Sequence, residues 1–222
     1  MLFEVMWNSR TFFFLHIILI FLPLIYPETQ NQESEAAEEL YKKLFKQQRV
    51  EQLNAIKSFE KTSNYEKQYA MITLMAEKIF DTIAESRVFV ESSFVPGISE
   101  FPLDSERKAA ISSILENTVL FSEIALRFPE ISTSLLKRNK NWDLVLQWGI
   151  AFTYHMRHLL DDNTIQLLRL VSQELNHVER HPDYVNPYRK SPEVQKDIVQ
   201  PKPKKKKKII KKGPKLSSRF EL

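Results

Sequence analysis

The sequence predicts an all-α protein: a compact bundle of about five helices, followed by a disordered basic C-terminal tail. Three observations support this fold class. The 222 residues include only 3 Gly and no Cys, and no segment alternates polar and apolar residues as a half-buried strand does. Apolar residues recur instead at spacings of three and four. Prolines and capping residues interrupt this periodicity where helix connections are expected.

The first 27 residues have the character of a secretory signal peptide. Residues 11–25 form an apolar run after Arg10, and Pro23 and Pro27 would end a helix there. The run is short for a membrane span, which needs about 20 residues. Small residues suited to cleavage are missing until Ser34–Ala36, so an uncleaved signal anchor and a buried N-terminal helix are the alternatives. No stable membrane span is expected after cleavage.

The helical bundle is predicted over residues 33–182 and begins with two helices. The first runs from Glu33 to about Phe59, with its apolar residues largely on one face: Leu40, Leu44, Leu53, Ile56 and Phe59. The polar cluster Thr62–Asn64 is a predicted break and N-cap. The second helix repeats apolar residues in a coiled-coil-like seam at Tyr69, Ile72, Ala76, Ile79, Ile83 and Val90. This short seam favours antiparallel packing inside a bundle.

Three more helices are predicted after a loop at residues 94–105, which ends in an N-cap at Asp104 or Ser105. The third helix closes near Phe128, because Pro129 follows. Its apolar face comprises Ile111, Ile114, Leu115, Thr118, Val119, Ser122 and Ala125. The fourth covers Trp142–Leu160 and aligns Trp142, Val145, Gly149, Phe152 and Met156. The fifth begins at a cap on Asp161 or Asp162, ends before Pro182 and aligns Ile165, Leu168, Ser172 and Leu175.

Residues 183–222 are predicted to be a disordered tail with a Lys-rich run at 202–215. The run includes Lys204, Lys205, Lys206, Lys207 and Lys208, and it accounts for the isoelectric point near 9.1, because residues 28–200 are mildly acidic. Such a run is typical of a nuclear localisation signal or of non-specific phosphate contact. Neither arginine nor aromatic residues are interleaved, so no specific nucleic-acid recognition is predicted. A solvated tail is the simpler interpretation.

The chain ends in Arg219, Phe220, Glu221 and Leu222. Retrieval signals of the endoplasmic reticulum end in Glu-Leu with a basic residue or His at the fourth-last position. Arg219 fits that position, whereas Phe220 departs from the usual form. Together with the N-terminal signal, this ending predicts residence in the lumen of the endoplasmic reticulum, with a retrieval receptor as one partner.

The sequence does not predict an enzyme, a cofactor or a metal site. The absence of Cys excludes thiolate zinc sites and iron–sulfur clusters, and no Gly-rich nucleotide-binding fingerprint occurs. Glu174 and His177 form half of a di-iron bundle motif, but no second Glu-x-x-His follows. They are interpreted as a solvated pair near a helix end, and the apolar faces are predicted to contain no carboxylate. His155 and His158, beside two aspartates, are interpreted as a surface cluster.

Trp142 and Trp148 lie six positions apart, so both cannot be central in one helical seam. One is predicted to anchor the core and the other to serve an interaction surface, where Trp is enriched. Gly149 costs about 1 kcal/mol in a helix interior. Its position therefore predicts the close approach of a neighbouring helix.

Several short strings, in order, resemble the family of coiled-coil domain-containing protein 134. They are Tyr41–Phe45, Glu51–Leu53, Glu116–Thr118, Leu126–Pro129, Asn141-Trp142, Trp148–Ile150, Gln173–Leu175, Asn186-Pro187, Lys212–Pro214 and Glu221-Leu222. The resemblance covers roughly residues 40–222. It implies a small non-enzymatic protein of the endoplasmic reticulum lumen that is also secreted. It further implies association with nascent endoplasmin, the lumenal Hsp90, at the translocon and oligosaccharyltransferase, where the family prevents hyperglycosylation of endoplasmin.

Two main functional hypotheses follow. The first is a lumenal adaptor whose candidate partner surface is formed by the exposed sides of Leu126, Arg127, Phe128, Pro129, Asn141, Trp142, Trp148 and Gly149. The second is a nuclear regulatory protein that uses Lys204–Lys208 to bind importin or nucleic acid. A secreted factor whose basic tail binds acidic glycans is a third alternative.

Overall fold

A computed structural model describes residues 32–61 and 64–189, and it confirms the all-α prediction. Over these residues the chain forms six α-helices and no strand. The helices are α1 (residues 32–60), α2 (Tyr65–Glu91), α3 (Ser105–Arg127), α4 (Pro129–Arg138), α5 (Lys140–His155) and α6 (Asp162–Glu174). A compact unit ends at Tyr188.

Helix α3 is the central helix of the bundle. It contacts α2, α4, α5 and α6, and ion pairs join it to α1. All seven residues predicted for its apolar face are completely inaccessible to solvent. By length and composition α3 could cross a membrane, and it is the one such helix among the described residues. Most of its apolar stretch packs inside the bundle, as expected for a core helix.

Helix α2 follows the predicted seam closely. Asn64 caps its N-terminus, because the Asn64 side-chain oxygen accepts a hydrogen bond from the Lys67 backbone N–H at 3.0 Å. Five of the six predicted seam residues are buried and Tyr69 packs partly against them. Phe80 joins the seam and packs on Phe121 of α3, with ring centroids 4.7 Å apart.

The predicted closure of the third helix near Phe128 is confirmed, but a helix missing from the prediction follows it at once. The backbone leaves helical geometry at Phe128, where φ is −125° and ψ is 58°. Pro129 then begins α4, since proline fits the first helical position, whose N–H is unpaired in any case. Leu135 and Leu136 of α4 are buried against the core. The bundle therefore has one helix more than predicted.

Helix α5 uses the predicted residues and ends earlier than expected. Val145, Gly149, Phe152 and Met156 are buried, as their spacing predicts, but the α-helix ends at His155 and a short 3-10 turn follows. Gly149 packs directly against Thr118 of α3. A Cβ added to it would lie 2.6 Å from Thr118 Oγ1, which confirms the predicted close helix approach.

Helix α6 ends at Glu174, well before Pro182. Asn176 adopts a left-handed conformation with φ of 58°, and the backbone N–H of His177 donates to the Ser172 carbonyl at 2.9 Å. This is the Schellman arrangement, which satisfies the last carbonyls of a helix. The chain then stays in contact with the helices as far as Tyr188, past the predicted bundle limit of residue 182.

The predicted apolar face of helix α1 is wrong in part. Leu40 and Leu44 are more than half exposed, whereas Tyr41 and Phe45, each one position later, are buried together with Ile56. The aromatic side chains occupy the interface because Tyr41 packs on Phe101 from the loop before α3, with ring centroids 5.4 Å apart. An apolar pattern cannot distinguish between two adjacent faces that both carry large apolar residues.

We expect Gly149→Ala to lower the free energy of unfolding. The added methyl would overlap Thr118 Oγ1 inside the bundle, and such overpacking costs about 1–3 kcal/mol, more than the gain of about 1 kcal/mol in helix propensity. Thr118→Ala should relieve the overlap, so the two changes together should cost less than the sum of the single changes. Urea unfolding of all four proteins tests this coupling, and strictly additive costs would contradict it.

Candidate interaction site

A buried arginine joins three separate parts of the chain. The Arg127 side chain, at the end of α3, is 6% exposed. Its Nε donates to Glu123 Oε1 at 2.8 Å, and its Nη1 donates to Glu60 Oε2 of α1 at 2.8 Å. The guanidinium carbon lies 4.0 Å from the ring centroid of Tyr188. Arg127 therefore holds α1 and the C-terminal end of the compact unit against α3.

Glu123 is the buried anion of this cluster. Its side chain is 3% exposed, and besides Arg127 it accepts a hydrogen bond from Arg49 Nη2 of α1 at 3.3 Å. Burial opposes the charge on Arg127, but the hydrogen bond and charge of Glu123, together with Glu60, raise the pKa of Arg127 above its usual range. Burial also raises the pKa of Tyr188, and the charge of Glu123 adds to this effect. Arg127 therefore keeps its positive charge at any physiological pH.

A second contact attaches the C-terminal segment to the same end of α3. Asn186 is buried, and its side-chain Nδ2 donates to the Leu126 carbonyl at 2.9 Å. That carbonyl lies in the last turn of α3, where carbonyls lack intrahelical donors. The Asn186 side-chain oxygen accepts from the Tyr188 backbone N–H at 2.9 Å, which folds the segment into a turn. Two strings of the family resemblance, Leu126–Pro129 and Asn186-Pro187, therefore meet in space.

An open cleft of about 670 Å³ lies beside the ion cluster, between α1 and α6. Its lining is mainly apolar, and Glu123 and Tyr188 also contribute. The apolar lining residues include Phe45, Val50 and Leu53 from α1, Leu126 from α3, and Leu167 and Leu170 from α6. On the α1 side the charged lining residues are Lys42, Lys46 and Arg49. The cleft is open to solvent and bounded by two helices, so its apolar lining is accessible from outside the bundle.

The structure contradicts the predicted exposure of Leu126–Pro129. Leu126 is completely buried, Phe128 is 8% exposed, and the Arg127 side chain takes part in the ion cluster. Pro129 is half-buried as the first residue of α4. These residues lie inside because α3 is the central helix and its C-terminal turn is covered by α1 and by the segment around Asn186. Residues 126–129 therefore support the cleft from inside the bundle and do not form an exposed binding surface.

The remaining predicted surface residues lie on α5 and have different environments. Asn141 is exposed, whereas Gly149 is buried against Thr118. Trp142 is partly buried and stacks on Phe80, with ring centroids 5.3 Å apart. Trp148 is partly exposed: it stacks on Phe152, and Arg87 covers its ring at 4.7 Å from the centroid. Both tryptophans are partly buried and pack against the core, so the division into one core and one surface tryptophan stays a prediction.

The prediction that Glu174 and His177 are solvated is wrong, and so is the prediction of carboxylate-free apolar faces. Glu174 is 8% exposed and accepts a hydrogen bond from the Tyr184 hydroxyl at 2.6 Å. The His177 side chain is 10% exposed, and its Nε2 lies 2.8 Å from Asp143 Oδ1 of α5. Both residues anchor the chain after α6, and Glu123 is a second buried carboxylate.

His155 and His158 are exposed, as interpreted from the sequence. Within residues 32–61 and 64–189, no group of three or more His, Asp or Glu side chains is placed to hold a metal ion. The predicted retrieval signal Arg219–Leu222, the run Lys204–Lys208 and the N-terminal apolar run lie outside the described residues.

The residues that sequence reasoning missed are Arg49, Glu60, Glu123, Asn186 and Tyr188. Most of their contacts join positions 60 or more residues apart, which no local spacing reveals. One local signal was available. Glu123 stands between Ser122 and Ile124, inside the longest apolar stretch of α3, and a carboxylate there requires a buried partner.

The fold and the cleft together define a small all-α bundle with an open, mainly apolar cleft between two of its helices. The family model described as "ERK and JNK pathways, inhibitor" matches residues 26–217. The chain is 36% identical over 163 residues to coiled-coil domain-containing protein 134 of Xenopus tropicalis, covering 73% of this chain and 71% of the relative. It is 29% identical over 180 residues to the Mus musculus protein of that name, covering 79% of each.

The chain therefore belongs to the family of coiled-coil domain-containing protein 134. The relatives' names denote no enzymatic activity. No solved structure matches the chain.

Replacing Arg127 with Met is expected to lower the free energy of unfolding by about 3–5 kcal/mol, because Glu123 would lose its main buried partner. Adding Glu123→Gln should recover part of that loss. The control is Lys42→Met, which breaks partly exposed pairs with Glu38 and Glu39 and should change stability little. Urea unfolding monitored by circular dichroism provides the measurement, and equal costs for the two Met variants would contradict the assignment.

Proposed function

We propose that the protein is a non-enzymatic adaptor of the endoplasmic reticulum lumen that binds nascent endoplasmin at the translocon and oligosaccharyltransferase and limits its glycosylation. The α1–α6 cleft is the observation that carries this proposal, since it offers an open, mainly apolar surface between two helices. Family membership supports it through the resemblance given above. The signal-like N-terminus and the Arg219–Leu222 ending support the lumenal location.

The cleft specifies the chemistry of the segment that it binds. Glu123 is neutralised by two arginines, and Lys42 pairs with Glu38 and Glu39. Lys46 lines the cleft and makes no ion pair with a described residue. The bound segment of endoplasmin should therefore present apolar side chains to Leu53, Leu167 and Leu170, with an acidic residue directed at Lys46. An acidic partner on this wall would add attraction and would fix the register of the segment.

The family description favours a second candidate function, inhibition of the ERK and JNK pathways from the nucleus or after secretion. In that case Lys204–Lys208 would serve nuclear import or phosphate contact. Substitution of these five lysines with Ala would then move the protein out of the nucleus. The lumenal adaptor predicts no change in location after the same substitution.

Topology separates the lumenal adaptor from the nuclear form of the second candidate, whereas a secreted inhibitor would also pass through the lumen. The sequence contains no Asn-x-Ser/Thr acceptor, so an introduced acceptor reports without background. Gln195→Asn with Asp197→Ser creates one in the C-terminal region, and lumenal residence should give a glycosidase-sensitive increase in mass. The control carries Gln195→Asn alone. An unglycosylated product whose Lys-rich run is open to protease in intact microsomes would contradict the lumenal proposal.

Charge reversal at Lys46 tests the cleft. Lys46→Glu should strongly reduce crosslinking to nascent endoplasmin and should raise endoplasmin glycosylation in cells that depend on the variant. Lys57→Glu is the matched control, since Lys57 is also an exposed lysine of α1 but does not line the cleft. Circular dichroism verifies that both variants fold. Equal endoplasmin capture by the two variants would exclude the cleft as the binding site while leaving the topology result intact.

A further inference from the structure

Helix α5 exposes a second surface on its outer side, away from the cleft. Leu144, Trp148, Ala151 and His155 follow each other at spacings of four, three and four, which places them in one line along the helix. Leu144 is 62% exposed, Ala151 and His155 are exposed, and Trp148 is partly exposed. Such heptad-like spacing of large and small residues is typical of a helix that packs on another helix.

Two grooves flank this line of residues. One, of about 470 Å³, lies between α5 and α6, and the other, of about 290 Å³, lies between α5 and α2. Ala151 and His155 line both grooves, so the outer face of α5 forms the ridge between them. Val95 and Val178, at the outer edges, are each more than half exposed. A second helix laid along this ridge would cover apolar side chains on both sides of it.

The charges beside the ridge have a definite order. Helix α2 runs parallel to α5, since Phe80 contacts Trp142 and Arg87 contacts Trp148 further along both helices. Arg87 lies over the ring of Trp148, and Glu91, one turn later, lines the groove with Trp148 and Ala151. Arg87 and Glu91 pair at 2.9 Å and are 36% and 49% exposed. The positive charge is thus at the level of Trp148 and the negative charge nearer Ala151.

We propose that this face binds a second copy of the chain, with the two α5 helices antiparallel. A two-fold axis midway between Trp148 and Ala151 brings Trp148, with Arg87 over its ring, to the level of the small Ala151 of the other copy, and the reverse. The same two-fold rotation sets Arg87 opposite Glu91 of the other copy. This follows because Arg87 lies at the level of Trp148 along α5, and Glu91 lies nearer the level of Ala151. Size and charge therefore match in one register, as an isologous interface requires.

Sedimentation equilibrium of the full chain, processed as the expressing cell processes it, tests the proposal. The native protein should show a concentration-dependent monomer–dimer equilibrium. Ala151→Arg should abolish it, because an arginine cannot fit beneath Trp148 of the other copy. Ala55→Arg is the matched control, since Ala55 is an exposed alanine of α1 and its variant should dimerise normally.

Charge reversal tests the register. Arg87→Glu and Glu91→Arg, each alone, should raise the dimer dissociation constant about tenfold or more, because like charges would face each other twice in the dimer. The double variant exchanges the two charges and should return close to the native constant.

Several results would overturn the proposal. The proposal is wrong if the native chain stays monomeric at all accessible concentrations. It is also wrong if the Ala151→Arg variant still forms the dimer. Weakening by the single reversals without recovery in the double variant would exclude the antiparallel register. A monomeric chain whose capture of endoplasmin is lost in Ala151→Arg would assign this face to a partner helix instead of a second copy.

Discussion

The desolvation of Arg127 is the constraint on which the rest of the structure depends. A guanidinium this deeply buried is tolerated only when its hydrogen bonds and its charge are satisfied. Glu123 satisfies it from within α3, Glu60 from α1, and the ring of Tyr188 covers it from the C-terminal segment. The contacts with Arg127 therefore fix where α1 and the last residues of the compact unit pack against the end of α3.

The break at Phe128 and Pro129 explains why this constraint lies where it does. It places Arg127 in the last turn of α3, where the helix dipole favours a cation. It also leaves the Leu126 carbonyl available to Asn186, and it redirects the chain into α4. A short string that resembles the family therefore determines the end of one helix, the start of the next and the docking of a distant segment.

The same frame produces two separate surfaces with different chemistry. Between α1 and α6, the cleft combines an apolar lining with Lys46, and the ion cluster beside it joins α1 to α3. On the outer face of α5, Trp148 and Ala151 form a ridge bordered by a charged pair. A bundle built around a single buried helix leaves the outer faces of the other helices available for contact with other molecules.

The sequence by itself determined the helical class, most helix boundaries and caps, and the buried faces of α2, α3 and α5, because periodicity and capping are local properties. Gly149 could be predicted as a close contact for the same reason. Only the tertiary structure decided that α1 buries Tyr41 and Phe45 instead of Leu40 and Leu44, and that Leu126–Pro129 lies inside. It alone brought Arg49, Glu60 and Asn186 to α3, since pairing across 60 or more residues depends on how helices pack and leaves no local pattern in the chain.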